Sequence, residues 1–356
     1  MDLSVNGDII RQDELHFRCD NGPVDDVIRR LIGLAGGIRR PEIVREMIIA
    51  ALKAGQEDNG KPDLKLMNST LKEMRFTTKV FAPYSRVKKV AIFGSARSKA
   101  HEDIYQSAKN LGRKLAESGY MIITGGGPGI MHAANEGAGP EHSFGVNIRL
   151  PFEQKPNSVL NGSPRSINYK YFFNRKVAFL KESDAAVLFP GGFGTMDETF
   201  ETLTLVQTGK RNPMPIVLID RKGGAYWDRW MHFLESDLLA NGSINKEDFN
   251  LFEIVDSPDE AVMIIDRFYH VYHSLRYVGD RLVLRLKRPL SPERLHALKE
   301  QFVDILRPGG EIRSAEALDE EADEPEIKHL PRLILDFNRR NFGGLKSFID
   351  AVNQEH

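Results

Sequence analysis

From Val87 to about Tyr272 the chain repeats one unit: a short apolar run, a glycine-rich turn and a helical stretch. VKKVAIFGSARS leads into AHEDIYQSAKNLGRKLAESG, YMIITGGGPG into IMHAANEGA, and DAAVLFPGGFGT into MDETFETLTLVQTG. SFGVNIRL, PMPIVLID and LFEIVD supply further apolar runs, the last two each before another helical stretch. Runs this short, with little polar alternation, suit strands buried on both faces, and strands that alternate with helices pair in parallel. The expectation over residues 86–276 is therefore an α/β fold, a doubly wound parallel sheet of Rossmann-like type. Ligands of such sheets sit beyond the carboxyl ends of the strands, where FGSAR, TGGGPG and PGGFGT all fall.

The flanks have a different texture. Over residues 1–85, Val27, Leu31 and Leu34, then Ile43, Met47 and Ala50, recur at helical spacing, with Gly36-Gly37 and Pro41 as punctuation between two helices. QEDNGKPD reads as a turn, and the helical pattern resumes from Leu64 to about Val80. This part is expected to be a helical N-terminal extension. Residues 277–356 order as strand RLVLRL, helix SPERLHALKEQFVDIL, strands EIRSAEAL and RLILDFN, and helix GGLKSFIDAVN. That is a small α+β C-terminal appendix, expected to be regulatory or oligomer-forming and to hold no catalytic group. Its acidic stretch DEEADEPEIKH reads as a solvated loop, with a docking surface for a basic partner as the alternative.

Charge narrows the function. The 356 residues carry 49 basic and 50 acidic side chains, a net charge of −1, which gives no global field to recruit nucleic acid or a membrane surface. An anionic ligand must be held locally. Cys19 is the single cysteine, which excludes an intramolecular disulfide or a cysteine-based metal site and suits a reducing compartment. No run approaches the ~18 apolar residues of a membrane span, and the acidic start lacks a signal-peptide core. A cytoplasmic protein is expected. No H-E-x-x-H and no Asp-x-Asp loop occurs, so neither a metal nor a cofactor is expected.

The glycine turns fit no common nucleotide fingerprint. In TGGGPGIM, Ile130 stands where G-x-G-x-x-G needs glycine, and VNIRL ends without an acidic residue for a ribose. Neither this turn nor PGGFGT has the Lys-Ser/Thr ending of a P-loop. What remains is a glycine-rich backbone feeding a helix N-terminus, which favours one phosphate. Each element also has a plain structural use. Gly125 to Gly129 could be a tight turn, Thr195 and Glu198 have capping-box spacing, Arg175 and Lys176 could lie on a solvated helix face, and His132 fits a helix surface or core.

Together, PGGFGTMDE at 190–198, TGGGPGIM, FGSAR and the Arg-Lys of NYKYFFNRK resemble the LOG family, the cytokinin riboside 5′-monophosphate phosphoribohydrolases, once often labelled lysine decarboxylases. The resemblance covers roughly residues 86 to 270, and Asn174 stands where the family often has Glu before the arginine. It implies hydrolysis of a purine nucleoside 5′-monophosphate, AMP-like or cytokinin-type, to free base and ribose 5-phosphate. Glu198 would be the carboxylate beside the anomeric carbon, and Arg175 matches the essential arginine. Backbone N–H groups of Gly191, Gly192, Gly194 and Thr195, with the Thr195 hydroxyl, would hold the phosphate. Ser95, Arg97, Gly126, Gly127 and Lys176 would complete the binding site, with Glu201 as a second carboxylate. A homodimer or higher homo-oligomer is implied. The competing readings are a non-catalytic protein that binds a nucleotide or a molybdopterin-type cofactor, a single-stranded DNA binder, and a decarboxylase with pyridoxal phosphate on Lys176.

Overall fold

The computed structural model describes residues 15–57, 60–150 and 155–354. The acidic start up to Glu14, and Asp58 and Asn59 of the expected turn, lie outside the described residues. The chain divides into two compact units, Met1–Glu73 and Met74–His356. In the first, helices α1 (Pro23–Ala35) and α2 (Pro41–Glu57) break at the Gly36-Gly37 and Pro41 punctuation. Helix α3 follows from Lys61 to Phe81. Asp25, almost fully buried, accepts from Arg45 Nε at 2.7 Å and ties α1 to α2. Ile28, Ile49 and Leu15 form the small core, whereas Val27, Leu31, Leu34, Ile43 and Met47 are exposed. Helical spacing identifies these helices but not their inner face, because apolar residues occupy adjacent stripes of both.

The second unit takes in the end of α3 and continues with β1 (Lys89–Phe93), α4 (Asp103–Glu117), β2 (Met121–Thr124), α5 (Ile130–Ala138), β3 (Ser143–Ile148) and β4 (Ser166–Tyr169). It continues with α6 (Phe172–Glu182), β5 (Ala185–Leu188), α7 (Phe193–Gln207), β6 (Ile216–Ile219), α8 (Tyr226–Phe233), β7 (Glu253–Val255) and α9 (Pro258–Phe268). All seven strands are parallel, in the order β4-β3-β2-β1-β5-β6-β7. The fold is thus the expected α/β class. Side chains alternate across the sheet as a two-residue period demands. Val90 and Ile92 meet Leu111, Ile130 and Ile265 on one face. Ala91 and Phe93 meet Phe179, Leu188 and Val206 on the other.

The order reverses at β1. After β1 the chain adds β2, β3 and β4 on one side, then returns to place β5 on the other. Loops after β1 and β5 therefore leave the sheet in opposite directions and open a crevice between them. The edge strand β4 is an addition to the six strands read from the sequence. SINY is four residues long with a polar edge, so it carries no strong strand signal, and α6 starts after it at Phe172.

After α9 comes an antiparallel sheet ordered β10-β11-β9-β8, built from β8 (Tyr272–Val278), β9 (Arg281–Leu286), β10 (Ile312–Ala315) and β11 (Arg332–Leu335). Helices α10 (Pro292–Gln301) and α11 (Phe342–Asn353) accompany it. The helical stretch expected after LFEIVD ends at Phe268, and the chain turns into β8. Asn353 holds that turn: its Oδ1 accepts from the N–H groups of Val271 and Tyr272, and its Nδ2 donates to Phe268 O.

The acidic stretch 319–329 is largely exposed, as expected of a solvated loop, but Glu321 within it is buried against the sheet. Arg285 and Arg332 stand directly opposite each other on β9 and β11, both buried, and two such cations repel. Glu321, itself buried, receives Arg332 Nε at 3.0 Å and Arg285 Nη2 at 2.7 Å. Asp323 and Glu324 bind Arg276 at 2.9 and 2.7 Å. These three carboxylates neutralise the arginines of their own sheet. Among the described residues, no helix is long and apolar enough to cross a membrane.

Candidate active site

Three loops meet at the crevice, and Ser95 knots them. Its N–H donates to Pro190 O at 3.1 Å, and its carbonyl accepts from Ile130 N–H at 3.0 Å. Its hydroxyl accepts from Arg97 N–H at 3.1 Å, so Ser95 Oγ is engaged in its own turn. The resulting cleft has a volume of about 740 Å³. Ser95, Arg97, Arg175, Gly191, Gly192, Gly194, Thr195 and Glu198 all line it. The structure brings together residues from three loops and two helices, the farthest more than a hundred positions apart in the sequence.

Four expected residues are placed elsewhere. Gly126 and Gly127 are buried behind the wall, with Gly126 O accepting from Asn157 N–H at 2.8 Å and Gly127 O from Asn157 Nδ2 at 3.1 Å. Gly125 and Met131 form the wall in their place. Lys176 and Glu201 pair with each other at 2.5 Å and do not line the cleft. Reasoning from sequence also passed over Phe172, Phe193, Met196 and Asp197, which do line it. The last three sit inside the quoted motif, where position alone could have flagged them; nothing in the sequence marks Phe172. His132 is a bridge, with Nδ1 3.0 Å from Tyr105 Oη and Nε2 3.1 Å from Ser158 Oγ.

Helix α7 begins at Phe193 with Gly192 as its N-cap, and no side chain caps it. Thr195 is therefore the third helical residue and Glu198 the sixth, too far along to serve the N-cap. The capping-box use of this pair is ruled out. The Thr195 N–H closes the first turn onto Gly192 O at 3.0 Å, whereas Phe193 and Gly194 precede any intrahelical acceptor. Their N–H groups and the helix dipole give this end of the cleft a positive potential.

The glycines of PGGFGT differ in why they are glycine. A Cβ on Gly191 would lie 2.0 Å from Thr195 Oγ1, so packing forbids it. A Cβ on Gly192 or Gly194 would meet nothing within 4 Å, and neither residue has a positive φ. The fold does not require glycine at these two cleft-lining positions. Bare backbone there leaves room for something outside the protein to approach its N–H groups.

Glu198 is 7% exposed, and its Oε2 is buried without a hydrogen-bond partner. Burial pushes its pKa up to about 7; Lys176 and Arg175 oppose the rise, and Glu201 and Asp197 add to it. A carboxyl of that kind can exchange a proton at neutral pH. Arg175 lies across the cleft floor from α6, donating from Nε to Val146 O at 2.9 Å. Its Nη2 would be 2.5 Å from a Cβ on Gly125, so that glycine is what lets the guanidinium rest on the loop. Burial lowers the Arg175 pKa and the Glu198 charge raises it, but a guanidinium remains a cation. The cleft thus presents a cation, a helix N-terminus and a buried, unpaired carboxyl. That set can bind an anion at one point and move a proton or offset positive charge at another.

Residues 128–265 match the sequence model of a family described as possible lysine decarboxylase. The chain is 27% identical over 199 residues to cytokinin riboside 5′-monophosphate phosphoribohydrolase LOG of Oryza sativa subsp. japonica, covering 53% of this chain and 76% of that protein. It is 25% identical over 155 residues to LOG7 of Arabidopsis thaliana, covering 42% and 69%. A solved structure similar in part is the molybdenum cofactor binding protein of Rippkaea orientalis, 20% identical, covering 51% of this chain and 96% of that one, with a TM-score of 0.36. A likeness of that size carries no argument about a ligand. The decarboxylase description calls for a lysine able to form an imine as a neutral amine. Lys176 does not fit: burial, which lowers its pKa, is outweighed by hydrogen bonds to Asp197 and Glu201 that hold it as an ammonium.

Proposed function

Given that the chain is a distant member of the possible-lysine-decarboxylase family, to which the LOG phosphoribohydrolases belong, we propose that it hydrolyses the N-glycosidic bond of a purine nucleoside 5′-monophosphate. The observation that carries this reading is Glu198, a buried carboxyl with a bare oxygen in a cleft otherwise suited to an anion. A protein that only held a phosphorylated ligand would gain nothing from a desolvated carboxyl there, which costs stability and repels the ligand.

In this reading the phosphate rests on the N–H groups at the start of α7, beside Gly192 and Gly194, and Arg175 binds phosphate or ribose hydroxyls. The C–N bond to the base breaks as positive charge grows on the ribose ring, and the bonding pair leaves with the base, which takes up a proton from solvent to become the free base. Glu198 takes a proton from water through Oε2 while the water oxygen bonds to the anomeric carbon, giving ribose 5-phosphate. The carboxylate offsets the ring's charge during that step. Among the described residues, no lining residue of the cleft lies beyond position 198, which supports a non-catalytic role for residues 277–356.

Incubation with AMP and with adenosine, followed by separation of products, tests the reading. Free adenine and ribose 5-phosphate are expected from AMP, with adenosine nearly untouched, because binding energy from the phosphate aligns the anomeric carbon. Equal rates on the two sink the proposal; tight AMP binding without products moves the protein to the non-catalytic reading.

Gly194→Ala tests the phosphate cradle separately. Alanine is favoured over glycine in a helix by up to about 1 kcal/mol, and its Cβ meets no protein atom. The variant should be at least as stable as the parent and should bind AMP about tenfold or more weakly, close to the ~1.4 kcal/mol that one lost phosphate contact represents. Unchanged AMP affinity by calorimetry would mean that the phosphate lies elsewhere.

We further propose the homo-oligomer that the sequence leads one to expect, formed through the exposed apolar residues Phe172, Phe173 and Val177 of α6. Val177→Glu should lower the mass seen by sedimentation; an unchanged mass would remove this face from the interface.

A further inference from the structure

Lys176 has more partners than one ammonium serves equally. Its Nζ lies 2.5 Å from Glu201 Oε2, 2.8 Å from Asp197 Oδ2 and 3.5 Å from Glu198 Oε1. The first two are ion pairs of hydrogen-bond length, and the third exceeds it. Three carboxylates from the first three turns of α7 surround one cation from α6, and the most buried of them has the weakest contact. The neighbouring cation of α6, Arg175, does not make up the difference, since its Nε is committed to the Val146 carbonyl. Glu198 is left with its Oε2 buried and bare.

We propose that Asp197 and Glu201 are positioning residues: by engaging the Lys176 ammonium they withhold it from Glu198, so that this carboxyl stays unpaired and able to take up and release a proton in the cleft. The proposal rests on the catalytic reading of Glu198 and gives it a control. If Lys176 were turned fully onto Glu198, a close ion pair in a buried site would hold the carboxylate charged and weaken it as a base. The groups facing Glu198 are Lys176 and Arg175 from α6 and Asp197 and Glu201 from α7; Arg97, on the loop after β1, lines the same cleft. Burial raises the Glu198 pKa, Lys176 and Arg175 lower it, and Glu201 and Asp197 raise it by repulsion. Neutralising either acid therefore acts twice in one direction, by removing repulsion and by releasing the lysine.

The test follows the Glu198 carboxyl carbon by NMR against pH in full-length protein labelled with [¹³C]glutamate, its resonance assigned by loss in Glu198→Gln. The midpoint should lie near 7 in the parent, as its surroundings dictate. It should fall by about one pH unit in Glu201→Gln, in line with a freed cation at contact distance. Asp197→Asn, whose side chain is 58% exposed, should move it the same way by less. Where AMP is turned over, the acidic limb of kcat/KM should move with the midpoint. A bridge serving only to join α6 to α7 would change stability and leave the midpoint in place, and an unmoved midpoint in both variants overturns the proposal. Asp197→Asn alters an exposed side chain, so it reads the effect even if Glu201→Gln folds poorly. The resonance needs no substrate, so failure to hydrolyse AMP would defeat the catalytic reading while the titration still decides the arrangement around Lys176.

Discussion

Glu198→Gln should reduce AMP turnover by on the order of 10²- to 10³-fold, the range for removing one preorganised electrostatic contact. Gln keeps the shape and loses both the charge and the ability to accept a proton. AMP affinity should hold or rise slightly, because the backbone at the start of α7 is untouched and the repulsion from the carboxylate is gone. The same substitution has a pH-dependent effect on stability whose sign is fixed. The Glu198 pKa of about 7 is above the 4.5 of an ordinary glutamate, so the folded protein holds this proton more tightly than the unfolded chain. Stability contributed by that protonation is full below about 4.5 and is lost as pH rises through 7. At pH 8 the native state therefore carries a charged, desolvated carboxylate at a penalty on the order of a few kcal/mol. Glu198→Gln should melt higher than the parent at pH 8, with the gain shrinking toward pH 5. Turnover within a few-fold of the parent, or a melting difference that does not depend on pH, would return Glu198 to a structural role.

Gly129→Ala should be among the most damaging substitutions that add only a methyl group. Gly129 has φ 67° and ψ −134°, a combination open essentially to glycine and costing about 1–3 kcal/mol for other residues. A Cβ would also lie 2.2 Å from Ser95 O and 2.6 Å from the Ala96 carbonyl carbon, backbone atoms that cannot rotate away. Relief requires opening the bond from Ile130 N–H to Ser95 O, which knots the loops after β1 and β2. Against a typical domain stability of about 5–15 kcal/mol, the combined loss is large. We expect a marked fall in the urea midpoint together with loss of activity. Gly192→Ala is the control: with nothing within 4 Å of its Cβ, it should stay within about 0.5 kcal/mol of the parent. Similar midpoints for the two variants would show that the loops are not locked as described.

Much of the cleft could be read ahead of the structure because its chemistry is written in contiguous stretches. PGGFGTMDE places the glycines and Glu198 on one loop and the first turns of one helix, where local geometry decides which side chains share a face. FGSAR ends one strand and PGGFGT another, and a reversal in strand order brings such ends together. Gly126 and Gly127 were misplaced because a run of three glycines does not say which of them faces outward; Asn157, thirty residues on, takes their carbonyls. Lys176 and Glu201 looked like ligand-binding groups for a similar reason, since a charge in a motif region does not reveal that its partner is another protein side chain.

The capping-box spacing of Thr195 and Glu198 illustrates the boundary. Sequence permits a cap wherever Thr and Glu stand three apart, but the helix starts at Phe193, two residues before Thr195. The inner faces of α1 and α2, the short edge strand β4 and the buried Glu321 between Arg285 and Arg332 lie on the same side of that boundary. By itself the sequence determined what depends on neighbours along the chain: the alternation of buried strands with helices, the glycine turns at strand ends and the motif carrying Glu198. Tertiary structure alone decided what depends on neighbours across space. Burial raises the Glu198 pKa, and the contest of three carboxylates for Lys176 leaves its Oε2 unpaired, because both follow from desolvation and charge separation between two helices that packing against the sheet brings side by side.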